Sequence, residues 1–150
     1  MRSIVVITAA VGLLAGSSML YAAEPRSIEY LSSPNSAANL PFSDAVRVGN
    51  MLYVSGKIGT LPGTRTLAPG GTKEETRQAM ENIKTSLETH GYAMKDIVKC
   101  TAILTDMSEF STFNQAYISF LTEPYPARTS LGAASLSLGA RVEIECIAAK

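Results

Sequence analysis

The stretch TKEETRQAMENIKTSLETHGYAMKDIVKCTAIL, Thr72–Leu104, changes its hydrophobic period halfway and decides the fold. In its first part Met80, Ile83 and Leu87 mark one apolar stripe at helical spacing. Thr72 stands three residues before Glu75, the spacing of a capping box, and Gly91 supplies a C-terminal stop. Ile97–Leu104 then reads as a strand rich in β-branched residues. Upstream, Ala45–Val48 and Met51–Ser55 flank Gly49-Asn50, the signature of a hairpin, and Ser27–Leu31 is a possible first strand. Residues 59–71 carry Pro62, Gly63, Pro69, Gly70 and Gly71 and read as an irregular loop. Downstream, a second helix starts near Asp106 or Ser108, buries Phe110, Phe113, Tyr117 and Phe120, and stops before Pro124. Thr129–Ala134 and Arg141–Ala148 complete the set as strands, joined by a turn containing Gly139.

The order β-β-β-α-β-α-β-β predicts an α+β fold, a mixed sheet with both helices packed on one face. No third helix is left to cover the other face, so self-association through it is the economical solution. In the last strand Val142, Ile144 and Cys146 alternate with Arg141, Glu143 and Glu145, which places the charged set opposite the apolar one.

The N-terminus reads differently. Arg2, an apolar run over Ile4–Leu14, small residues at Ala15-Gly16-Ser17-Ser18, then Ala22 and Ala23 describe a secretory signal peptide. The run is shorter than the roughly 20 residues needed to span a bilayer. We therefore expect a signal over residues 1–23, one domain over 24–150, and an exported protein, periplasmic or secreted; with an inactive signal it would be cytoplasmic. The chain carries 13 basic and 13 acidic residues, and only Arg2 among them lies within the signal. A domain so near neutrality has no electrostatic footprint for nucleic acid or for an anionic membrane surface.

Motifs for hydrolytic metal sites, phosphate loops and nucleophile elbows are missing: there is no HExxH, CxxC or GxSxG, and a metal site is not expected. His90, the single histidine, falls at the end of the first helix, where it suits the helix dipole better than base catalysis. Cys100 and Cys146 are too few and too far apart for zinc. In an exported protein a disulfide between them is open, but both lie in strand-like runs, and two free, buried thiols are the simpler expectation.

A short list of residues remains. Arg128, in Pro126-Ala127-Arg128-Thr129, sits where a rigid loop turns into a strand, and its planar fork suits a carboxylate. Glu143 lies on an alternating strand, Ser55-Gly56 ends the hairpin, and Asn114 rides the aromatic helix. Taken singly, each has an ordinary structural reading: a salt bridge, a solvated strand face, a turn, a polar helix position.

Read together, they resemble the Rid family (reactive intermediate deaminases, also called the YjgF family). The matching stretches are Pro41-Phe42-Ser43, Val48-Gly49-Asn50 leading to Val54-Ser55-Gly56, and Thr76-Arg77-Gln78-Ala79 with Asn82. Further on come Leu104-Thr105-Asp106-Met107, Phe113-Asn114 with Tyr117, Pro126-Ala127-Arg128 and Val142-Glu143-Ile144-Glu145-Cys146. The resemblance implies a chorismate-mutase-like fold assembled as a homotrimer, with clefts between subunits. It also implies cofactor-independent hydrolysis of enamines or imines of small 2-amino acids to 2-oxo acids and ammonia. Arg128 would hold the substrate carboxylate and Glu143 would orient or activate water, with Ser55, Gly56, Asn114 and Phe42 lining the cleft. Phe42 replaces a tyrosine common in the family, Lys57 replaces its usual glutamine, and Leu131 stands where cysteine or valine is frequent. The alternative is a trimeric binding module for small carboxylates, without catalysis.

Overall fold

The computed structural model describes residues 27–33 and 41–150. The expected signal peptide lies outside the described residues. Among the described residues six strands and two α-helices follow one another: β1 (Ile28–Leu31), β2 (Ala45–Val48), β3 (Met51–Ile58), α1 (Thr72–Thr89), β4 (Ile97–Leu104), α2 (Phe110–Ile118), β5 (Ala127–Gly132) and β6 (Val142–Ala149). Their order is the one read from the sequence. They build one six-stranded sheet, β1-β2-β3-β6-β4-β5, antiparallel throughout except for the parallel pair β4–β5.

The core lies between the sheet and the two helices. Helix α1 buries Thr76, Ala79, Met80, Ile83 and Leu87 on one stripe, against Leu52 and Val54 of β3 and Val142, Ile144 and Cys146 of β6. Helix α2 adds Phe113 and Tyr117 to the same layer, and Phe120, just past its end, packs against it. Burial of these side chains contributes about 1.5–3 kcal/mol each.

Two local expectations fail. The capping box does not form: Gly71, with φ of 71°, precedes the helix, and Thr72 turns its hydroxyl to Glu109 at the entrance to α2. Glu75 is buried and accepts the Arg141 amide at 2.7 Å. Tertiary partners have outcompeted the local pair. Cys100 and Cys146 are not free thiols either: they stand opposite one another in the β4–β6 register and form a disulfide on the core side of the sheet. That pairing depends on register between strands 46 residues apart, which no local pattern reveals.

Among the described residues no helix covers the second face of the sheet. Residues directly opposed on neighbouring strands point to the same side. Tyr30, Val46, Tyr53 and Ile147 therefore form one row across β1, β2, β3 and β6 on this open face, and Ile28, Val48 and Met51 form another. Tyr30 is 75% exposed, Ile28 59% and Tyr53 44%, a contiguous apolar surface of the kind that marks an interface.

Candidate active site: two half-sites on one sheet

Arg128 lies inside β5, in register with Cys100, and so points toward the helices. Its Nη1 donates to Asn114 Oδ1 at 2.9 Å. The guanidinium carbon is 4.9, 5.4 and 5.6 Å from the ring centres of Tyr117, Phe110 and Phe113. Their spacing on α2, three and four residues apart, turns them to one face. Rings within about 6 Å attract a cation. Arg128 is thus held by one hydrogen bond and an aromatic wall, and among the described residues no carboxylate pairs with it. The fork keeps donors for an anionic guest.

Tyr117 completes this half. Its hydroxyl is buried with no hydrogen-bond partner among the described residues. Burial pushes its pKa up, while the nearby Arg128 charge pulls the other way. Helical spacing marks Tyr117 as a core aromatic; its place beside the guanidinium follows from the α2–β5 packing, which no local pattern carries.

Glu143 occupies the other half. Neighbouring Val142 and Ile144 are buried in the core, so Glu143 points to the open face, where it is half-buried. Strand β3 bulges beside it, because Val54 pairs with Cys146 and Lys57 with Ile144, leaving Ser55 and Gly56 together opposite Glu145. A Cβ on Gly56 would lie 2.1 Å from Glu143 Oε1. Only a residue without a side chain permits that approach. Ser55 donates its hydroxyl to the Ser43 carbonyl at 2.7 Å and its amide to the Asp44 carbonyl at 3.0 Å. Phe42, one residue before, is 60% exposed.

The six expected site residues thus fall into two groups. Arg128 and Asn114 meet beneath α2; Glu143, Gly56 and Ser55 gather at the β3 bulge, with Phe42 next to Ser43. Asn114, which the resemblance places in the cleft lining, accepts the hydrogen bond of the arginine. One chain does not bring the two groups together. Glu143 pairs with Ile103 while Arg128 pairs with Cys100, three positions along β4 and on the opposite face. Two strand spacings and three residue rises separate their backbones by roughly 14 Å.

Comparison with known proteins places this arrangement. The family described as Endoribonuclease L-PSP matches residues 32–150. The chain belongs to the Rid (YjgF) family. It is 41% identical over 112 residues to the 2-iminobutanoate/2-iminopropanoate deaminase of Mus musculus, covering 75% of this chain and 83% of that one. The crystal structure of RidA from the Antarctic bacterium Psychrobacter sp. superposes with a TM-score of 0.75 at 38% identity, over 81% of this chain and 99% of the other. Escherichia coli TdcF, crystallised with bound serine, gives 0.74 at 31% identity over 81% and 99%. The Rid fold is the α+β arrangement expected from the sequence, a mixed sheet carrying two helices.

Proposed function

We propose that this Rid protein hydrolyses imine or enamine forms of small 2-amino acids, releasing a 2-oxo acid and ammonia, in a homotrimer whose clefts join the two half-sites of neighbouring copies. The observation that carries the reading is Arg128, fixed by Asn114 and three rings yet with no carboxylate of its own among the described residues. The deaminase name of the mouse relative and the bound serine of TdcF, a small amino acid with a carboxylate, support the same substrate class.

The chemistry asks little of the protein. An imine carbon is already electrophilic; attack by water gives a carbinolamine, and its collapse expels ammonia and leaves the carbonyl. Arg128 takes the substrate carboxylate through two parallel hydrogen bonds. Glu143 of the neighbouring copy accepts the proton of the attacking water and returns one to the departing nitrogen. Positioning supplies much of the rate, since both reactants are held rather than met by diffusion. The exposed rows of Ile28, Tyr30 and Tyr53 supply apolar surface for the contact between copies.

Export through residues 1–23 is part of the proposal, and the Cys100–Cys146 disulfide supports an oxidising compartment. Mass spectrometry of the mature N-terminus checks it. For the activity, an amino-acid oxidase generates the imino acid in situ and its loss is followed spectroscopically. The expected result is acceleration by the native protein that Arg128→Ala abolishes. No acceleration over buffer, or equal acceleration by the variant, overturns the deaminase. Phe42, exposed and without a hydroxyl, favours the second reading, a binding module; calorimetric binding of 2-oxobutanoate without turnover would select it.

A further inference from the structure

Outside the two half-sites, the densest set of buried ionisable groups among the described residues surrounds Asp44, which is 8% exposed. Lys57 Nζ lies 2.5 Å from one carboxylate oxygen. Ser86 donates its hydroxyl to the other at 2.5 Å, and His90 Nε2 lies 3.0 Å from that same oxygen. Burial alone would raise the Asp44 pKa; hydrogen bonds from Lys57 and Ser86, the Lys57 charge and the His90 contact outweigh it and hold the carboxyl below its usual 3.8. Lys57 comes from β3, Ser86 from α1 and His90 from the residue that caps its end, while Arg47 of β2 turns its guanidinium to Glu29 and to the His90 carbonyl.

Asp44 grips the bulge from both ends. Its carbonyl accepts the Ser55 amide at 3.0 Å, and its carboxylate takes the ammonium of Lys57. Between these two tethers sits Gly56, whose bare Cα is the wall against which the Glu143 carboxyl rests. The ring Asp44–Ser55–Gly56–Lys57–Asp44 is closed by one side-chain contact, the Lys57 ion pair. We infer that Lys57 is a positioning residue for Glu143: by pairing with Asp44 it holds the Ser55–Gly56 bulge at the depth where Gly56 meets the Glu143 carboxyl. Lys57 touches no reacting atom. The inference rests on the hydrolytic reading of Glu143.

The test compares the native trimer with Lys57→Met and with the neutral pair Asp44→Asn/Lys57→Gln, measuring kcat and KM for an oxidase-generated imine across pH. Lys57→Met frees one end of the bulge, so kcat falls about tenfold, a modest misplacement of the kind that costs up to about 100-fold. KM stays within about twofold because Arg128 is untouched. Protonation of Asp44 breaks the same ion pair in the native protein, whereas Lys57→Met is already untethered, so the kcat deficit of the variant shrinks toward the acid end, where the native carboxyl binds its proton. The double variant restores a neutral hydrogen-bonded contact, recovering most of kcat without that acid dependence. A Lys57→Met protein with native kcat overturns the inference. So does a loss that is uniform in pH and matches the fall in folded protein, or a double variant that recovers nothing. An inactive native protein overturns the hydrolytic reading and this inference with it; with an active native protein, the Lys57 variants judge the tether alone.

Discussion

Replacing Gly56 by alanine places a methyl group 2.1 Å from Glu143 Oε1, 3.0 Å from its Cδ and 3.2 Å from its Cγ. Favourable separation for such atoms is about 3.5 Å, so the carboxyl oxygen must retreat by more than ~1 Å. The obstacle is the far end of a flexible side chain on the open face, which steps aside cheaply. We expect a stability cost near ~1 kcal/mol, the low end for overpacking. Under the proposed hydrolysis catalysis has no such tolerance, because Glu143 is there the group that handles the attacking water and a displacement of ~1 Å costs about 100-fold. Gly59→Ala provides the contrast. Its Cβ would meet the Glu75 Cα and carbonyl oxygen at 2.6 Å, backbone of α1 that cannot rotate away. That variant should lose about 3 kcal/mol of stability yet keep native kcat per folded molecule. Denaturant titration and the oxidase-coupled imine assay separate the two. The reasoning is refuted if Gly56→Ala retains native kcat, or if its kcat falls only in step with the unfolded fraction.

Other consequences follow from the same geometry. Asn114→Ala removes the hydrogen bond that orients Arg128, worth about 1.5 kcal/mol for a charged donor, so KM for the imine should rise by up to about tenfold in steady-state kinetics. Converting both Cys100 and Cys146 to alanine opens a loop with a separation of 46 residues, and chain entropy puts the loss near ~4 kcal/mol, readable as a shift of the denaturant midpoint relative to the oxidised protein. Asp44, whose carboxyl titrates below 3.8 when folded, contributes stability that is present above that value and lost as pH falls through its lowered folded pKa. Denaturation midpoints measured through the acid range should therefore decline less steeply in Asp44→Asn than in the native protein.

The succession of elements was legible because each carries its own local signal. The α1 stripe of Met80, Ile83 and Leu87 and the period-two alternation of Val142, Ile144 and Cys146 are patterns within single segments. The absence of a third helix among the expected elements implies an uncovered sheet face, and among the described residues that face carries the rows through Tyr30 and Tyr53. What stayed hidden depends on contacts between distant segments. Thr72 and Glu75 read as a capping box until Glu109 and Arg141 arrive from elsewhere to claim them. The disulfide needed the β4–β6 register, and the Gly56–Glu143 approach needed a bulge visible only once β3 and β6 are paired. His90 was read as a helix-end residue, which it is, but its ring is buried against Asp44 rather than facing solvent. The resemblance named Arg128 and Glu143 together; that they face opposite sides of one sheet follows from the strand registers, which the sequence does not print.

Complementation between two variants tests the proposed sharing of a cleft most directly. Arg128→Ala and Glu143→Gln proteins are unfolded together, refolded as an equal mixture and assayed for imine hydrolysis. If each cleft takes its arginine from one copy and its glutamate from another, random assortment makes on the order of a quarter of the clefts whole, and activity returns to about that fraction of the native level. A mixture that stays as inactive as either variant alone, although it has assembled into mixed trimers, contradicts a cleft shared between copies.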